Sequence, residues 1–223
     1  SREPTHRSAP GVSSSAKSPS SPQGEMPVTV NKIDTSVVAE TLRQQIREDV
    51  AIVPGARPLL VGFLANKDPA ARKYAEQPGR ACTKDGIDYV LKEVEAGALE
   101  GRLEHASEDS GGHGILIYYP VFGAEPSFYG GSMDDQLRDN IEPTKDVEGL
   151  CKKYRDNLYR NVRRVDKWRR SVVPCTPLAV VKCLEHCGQH TGAKDEGMAG
   201  KVVAVVNRSE VVGRPLAAML AND

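Results

Sequence analysis

Residues 58–65 read PLLVGFLA, a short and almost continuous apolar run between polar flanks, the mark of a strand covered on both faces. Upstream, Asp34 and Thr35 can cap a helix whose Val37, Val38, Leu42, Ile46 and Val50 recur on one side, and Pro54 with Gly55 closes it. Downstream, Asp68 before Pro69 signals a second helix with proline in its first turn. Residues 87–94 are a second candidate strand, and 115–121 (ILIYYPV) a third. The polar stretch 95–110 is helical in part, 123–134 is loop-like, and 135–141 is a short helix. Apolar strands separated by amphipathic helices make a βαβ pattern, so the expected class is α/β with a mostly parallel sheet.

A second unit begins at Pro174. Thr176 caps and Pro177 opens a helix carrying Leu178, Val181 and Leu184 on one side. A polar connection (188–200) leads to 201–206 (KVVAVV), read as a buried strand, and to a helix start at 213–220. A doubly wound nucleotide domain needs several more strands, so this second unit is expected to be incomplete. At the other end, residues 1–27 are rich in Ser, Pro and Gly and cannot bury enough apolar surface to offset their ordering entropy. They are expected to form a disordered leader, with the folded part beginning near Val28.

The 30 basic and 30 acidic side chains balance, so no whole-molecule field draws nucleic acid or an acidic membrane surface. Arg160, Arg163, Arg164, Lys167, Arg169 and Arg170 read as a solvated face. No apolar stretch approaches the roughly 20 residues that span a membrane. Five cysteines without framework spacing fit a reducing compartment. Cys183, His186, Cys187 and His190 share a helical side, but they continue an apolar helix with no further ligand cluster, so no metal is expected. Phosphate-loop and G-x-S-x-G motifs are absent.

Four segments go beyond pattern: 61–74 (VGFLANKDPAARKY), 114–123 (GILIYYPVFG), 143–150 (PTKDVEGL), and 174–177 (PCTP) together with 207–215 (NRSEVVGRP). In this order they resemble the methylenetetrahydrofolate dehydrogenase/cyclohydrolase family, and their wording is nearest its fungal monofunctional NAD-dependent members. The resemblance implies a folate-binding catalytic domain over 28–173, then a linker helix and the first βα unit of a Rossmann-like NAD-binding domain over 174–223. It implies NAD-dependent oxidation of 5,10-methylenetetrahydrofolate in one-carbon metabolism, feeding purine synthesis, in a cytoplasmic enzyme that is a homodimer at full length.

Residue by residue, the resemblance makes Tyr74 the active-site tyrosine lying against folate. Bifunctional members carry a catalytic lysine four residues on, where this chain has Pro78. Tyr118 stands where they have a glutamine, and Glu148 where an aspartate holds the pterin ring. Asp146 matches an acid of the same motif, Pro174, Thr176 and Pro177 the loop lining the folate cleft, and Arg208, Ser209 and Gly213 the phosphate side of the cofactor domain. Tyr118 and Tyr119 point to opposite faces of a strand, so only one can face the cleft. Asp146 in a tight turn suits a structural task equally well. From the residues alone the cofactor signal is slight, since the G-x-G-x-x-G fingerprint is missing and only Gly213 supplies a close approach.

Losing both the lysine and the glutamine removes the proton-handling groups that hydrolysis of the methenyl product needs, while hydride transfer needs alignment above all. The expected activity is therefore a dehydrogenase without cyclohydrolase. Two other readings stand beside it: an inactive folate-domain remnant or assembly partner, and a bifunctional enzyme using Lys73 or Lys84. Pro78 predicts that its helix kinks or ends there.

Overall fold

A computed structural model describes residues 32–191 and 197–222; the expected leader over 1–27 lies outside the described residues. The strands are β1 (Leu59–Leu64), β2 (Asp88–Glu93) and β3 (Gly114–Ile117). They form one parallel sheet in the order β2-β1-β3, with Gly62 of β1 opposite Leu91 on one side and Leu116 on the other. The helices are α1 (Thr35–Ile52), α2 (Pro69–Asp85), α3 (Leu99–Glu108), α4 (Met133–Asp139), α5 (Lys152–Tyr159), α6 (Cys175–His186) and α7 (Gly213–Ala221).

Alternation along β1 divides the core in two. Val61 and Phe63 face one side, packing with Ile115, Ile117, Leu99, Leu103, Leu137 and Ile141. Leu64 faces the other, packing with Ala75 of α2 and Tyr118. The apolar run in β1 is thus buried by helices on one face and by α2 on the other.

Several elements depart from the expectation, each for a local reason. β3 stops at Ile117 instead of Val121, because Pro120 has no N–H and the carboxylate of Asp134 gathers the N–H groups of Val121, Phe122 and Gly123. The following helix starts earlier than expected, at Met133, where Ser132 and Asp135 form a reciprocal capping box. Pro78 does not end α2. The helix runs between an Asp68 side chain that accepts from the Ala70 N–H and a left-handed Gly86 (φ 87°), with Ala75 fully buried. α6 begins at Cys175 with Pro174 at its cap, so Thr176 is not the cap residue: Pro177 lies inside the first turn, where a missing N–H costs nothing.

Two apolar segments are not covered. Residues 201–206 do not form the buried strand expected of them. They have no regular secondary structure and join none of the three strands, and Val202 and Val206 are fully exposed. On α1, Val37, Leu42 and Ile46 remain 38–53% exposed, so the stripe that suggested an amphipathic helix is largely unburied.

What ties α1 down is charge. Asp85, only 6% exposed at the end of α2, accepts from Arg43 Nε at 2.8 Å and Nη2 at 3.0 Å, and from Arg47 Nη1 at 2.9 Å. The Arg43 bonds foremost, then those of Arg47, hold the Asp85 carboxyl below its ordinary value despite desolvation. A carboxyl lowered in the fold stabilises above its unfolded pKa and loses that contribution as pH falls through the folded one. Asp85→Asn is expected to melt at a lower temperature than the unsubstituted chain at pH 7. The gap should narrow below about pH 4, as the wild-type carboxyl takes up its proton; thermal melts over a pH series check this.

Candidate functional site

Beyond β3 the chain keeps its register for one more residue: the Tyr118 N–H donates to the Phe63 carbonyl at 3.0 Å. Alternation then turns the Tyr118 ring toward α2 and buries it, while the Tyr119 ring goes to the opposite face. There the Arg138 guanidinium stacks over Tyr119 at 4.5 Å, and the Tyr119 hydroxyl is buried without a partner. Tyr74 projects from α2 beside buried Ala75, 68% exposed, with its ring edge-on to Tyr118 (centroids 6.2 Å apart, planes at 88°). The sheet and α2 therefore bring Tyr74 and Tyr118 together.

A second wall comes from the turn after α4. Asp146 is 3% exposed and its carboxylate accepts from the N–H groups of Glu148 (3.0 Å), Gly149 (2.9 Å) and Cys151 (2.8 Å). The Ile115 N–H donates to the Lys145 carbonyl at 2.8 Å, so the whole turn is pinned beside β3. With three backbone donors on it, Asp146 shapes the turn and aims the next acid, Glu148. That carboxyl is half-buried, and desolvation pushes it up to about 7, opposed by an Ile117 N–H and reinforced by Asp146. Its charge adds to the upward shift of both Tyr118 and Tyr119, behind burial as the main cause.

Gly149 brings in the third wall. It sits at φ +66°, and a Cβ there would meet the backbone of Val172 and Val173 at 2.9 Å. The segment 172–177 is thereby pressed against the Glu148 turn. Pro174 and Pro177 are fully buried and shape the wall, while Thr176 is exposed.

The last predicted group stands at the head of α7. Asn207 Oδ1 accepts from the Ser209 N–H (2.9 Å), the Ser209 hydroxyl (2.9 Å) and the Gly213 N–H (3.0 Å), and Ser209 Oγ accepts from the Val212 N–H at 3.1 Å. Asn207 thus ties Ser209 and Gly213 into one loop, in which Gly213 is buried and has no room for a Cβ against Asn207. Arg208 and Ser209 are both exposed, a few residues ahead of the positive end of α7. Among the described residues no three His, Cys, Asp or Glu side chains are grouped to hold a metal ion, and no helix is long and apolar enough to cross a membrane.

Residues 33–148, more than half of the chain, match the catalytic domain described as tetrahydrofolate dehydrogenase/cyclohydrolase. The chain belongs to this family. Among its relatives, methylenetetrahydrofolate dehydrogenase [NAD(+)] of Schizosaccharomyces pombe is 46% identical over 192 residues, covering 84% of this chain and 58% of the relative. The Saccharomyces cerevisiae protein of the same description is 44% identical over 197 residues, covering 84% and 59%. The solved NAD-dependent 5,10-methylenetetrahydrofolate dehydrogenase of S. cerevisiae superposes with a TM-score of 0.77 at 42% identity, covering 85% of this chain and 60% of that one. The bifunctional enzyme of Thermoplasma acidophilum superposes at 0.65 with 27% identity, covering 83% and 60%. The chain thus spans about three-fifths of the length of these relatives.

Three organising residues escaped the sequence reading of this family member. Tyr89 of β2 reaches under Tyr118, Asp134 folds 121–123 around its carboxylate, and Asn207 builds the loop before α7. Gly62 inside an apolar strand was a readable signal for the first, since such a glycine marks a close approach. The other two make contacts that no spacing announces.

Glu148 gives the site a pH signature. Its folded pKa lies above the ordinary 4.5, so its contribution is full below that value and is lost as pH rises through about 7. Glu148→Gln is expected to be more stable than the unsubstituted chain at pH 8, by on the order of 2 kcal/mol. The advantage should disappear toward pH 4; urea denaturation at the two pH values measures it.

Proposed function

We propose that this chain is the folate-binding part of an NAD-dependent methylenetetrahydrofolate dehydrogenase that oxidises 5,10-methylenetetrahydrofolate to the methenyl form and does not hydrolyse the product. One feature of the cleft carries the reading. α2 has Pro78 one turn beyond Tyr74, and the Tyr118 phenol is turned onto the α2 backbone, where the family resemblance puts a lysine and a glutamine in bifunctional members. The likeness to two fungal proteins described as NAD(+) dehydrogenases supports the same choice.

The oxidation removes a hydride from the bridging carbon, and the adjacent nitrogen lone pairs spread the resulting positive charge, so no side chain has to move a proton. NAD, when bound, accepts that hydride. The chain's own residues bind and orient. Tyr74 offers an exposed aromatic face, and Glu148 offers acceptors for the N–H and amino donors of a pterin. The Tyr118 hydroxyl, held well above the ordinary tyrosine pKa by burial, stays protonated and cannot serve as a base. Lys73 and Lys84 are both exposed on α2. Arg208 would meet a phosphate of the dinucleotide. A domain boundary near residue 174, the homodimer, the cytoplasmic location and the supply of purine synthesis belong to the same reading and rest on the family resemblance.

Tetrahydrofolate binding to the purified chain, measured by calorimetry, tests this. Glu148→Ala should weaken it ~10- to 100-fold, the usual worth of a hydrogen bond to a charged group. Methenyltetrahydrofolate should disappear at its uncatalysed rate in the presence of the chain. Faster hydrolysis would overturn the separation of the two activities, and a chain that does not bind tetrahydrofolate would overturn the folate reading.

A further inference from the structure

Tyr89 belongs to β2, opposite Leu60, and its ring crosses the α2 face of β1 toward Tyr118. The two hydroxyls meet at 2.7 Å, and both also reach the Ala75 carbonyl of α2, Tyr89 at 3.1 Å and Tyr118 at 3.2 Å. Three short contacts share two hydroxyl protons, so in every arrangement both protons are spent inside the protein. The space for this cluster is cut by two glycines on different elements. A Cβ on Gly62 of β1 would stand 2.5 Å from the Tyr89 hydroxyl and 3.2 Å from Tyr118 Cε2. One on Gly79 of α2 would stand 2.7 Å from Tyr89 Cδ1.

The carbonyl they hold belongs to the residue after Tyr74, on a helix whose Pro78 denies the Tyr74 carbonyl its donor four residues on. The phenol pair therefore fixes both members of the Tyr74–Tyr118 ring pair: one ring directly, the other through the helix backbone. Given the folate-binding reading of this site, we propose that Tyr89 is a positioning residue: through its hydrogen bond to Tyr118 and the shared Ala75 carbonyl it holds the edge-to-face Tyr74–Tyr118 pair in the place where it meets the pterin, without touching the ligand.

Tyr89→Phe keeps the ring between the two glycines and deletes only the hydroxyl; Tyr118→Phe does the same at the partner. With tetrahydrofolate as the probe and the 223-residue chain as the protein, each single variant is expected to bind ~5-fold more weakly, about the worth of one hydrogen bond. The double variant should bind less weakly than the ~25-fold loss that two independent effects would give, because the two changes share the contact between the hydroxyls. Additive losses, or unchanged affinity in Tyr89→Phe, overturn the proposal.

An alkaline absorbance titration reads the coupling without any ligand. Burial first, and Tyr89 second, hold Tyr118 above the ordinary tyrosine value. Tyr89→Phe should thus bring a tyrosine into ionisation at lower pH, and adding Tyr118→Phe should abolish that shift. An absent shift overturns the coupling. A shift in a chain that fails to bind tetrahydrofolate leaves the coupling standing and removes the folate reading instead.

Discussion

The parallel pairing of β1 with β2 on one edge and β3 on the other fixes where each side chain of the cleft stands. Register decides facing in a sheet, since a slip of one residue would send every side chain to the opposite side. With Gly62 between Leu91 and Leu116, the α2 face receives Tyr89, Leu64 and Tyr118, and the other face receives Phe63, Ile117 and Tyr119. A smaller residue in that central position is what lets two tyrosines approach each other over the sheet. The same pairing anchors the acidic turn, because the Ile115 N–H binds the Lys145 carbonyl just before Asp146.

Around that sheet the site is assembled from turns that are held by side chains more than by regular structure. Asp134 collects the N–H groups after Pro120, Asp146 those of the Glu148 turn, and Asn207 those before α7. Each uses a short polar side chain to satisfy backbone donors that no ladder or helix serves. Their division of labour explains why neighbouring acids differ so much. Asp146 is occupied by three donors, while two residues away Glu148 has one backbone donor against its desolvation, and its carboxyl is pushed up to about 7. One is a scaffold, and the other remains available to a ligand.

A cleft built this way suits binding and alignment better than proton transfer. The Tyr89 and Tyr118 hydroxyls are spent on each other and on a helix carbonyl, and the lysines of α2 are exposed. Pro78 leaves the Tyr74 carbonyl without its helical donor, and the two phenols secure the next carbonyl of the same turn, that of Ala75.

Pattern alone was enough for the α/β class, the three strands and the helices on either side of β1, because an apolar run at PLLVGFLA and capped amphipathic stretches are local signals with a fixed period. The motifs also singled out Tyr74, Tyr118 and Glu148, though only by family resemblance. Tertiary structure decided the rest. The end of β3 depended on a carboxylate more than ten residues away, and the passage of α2 through Pro78 on caps at both ends and a buried Ala75. KVVAVV reads as a buried strand, yet it joins no strand of the sheet and stays largely exposed, since tertiary pairing and not apolar content makes a strand. The partnership of Tyr89 with Tyr118 is not written in their spacing, since the two sit on different strands and meet only where a glycine in the strand between them leaves the room.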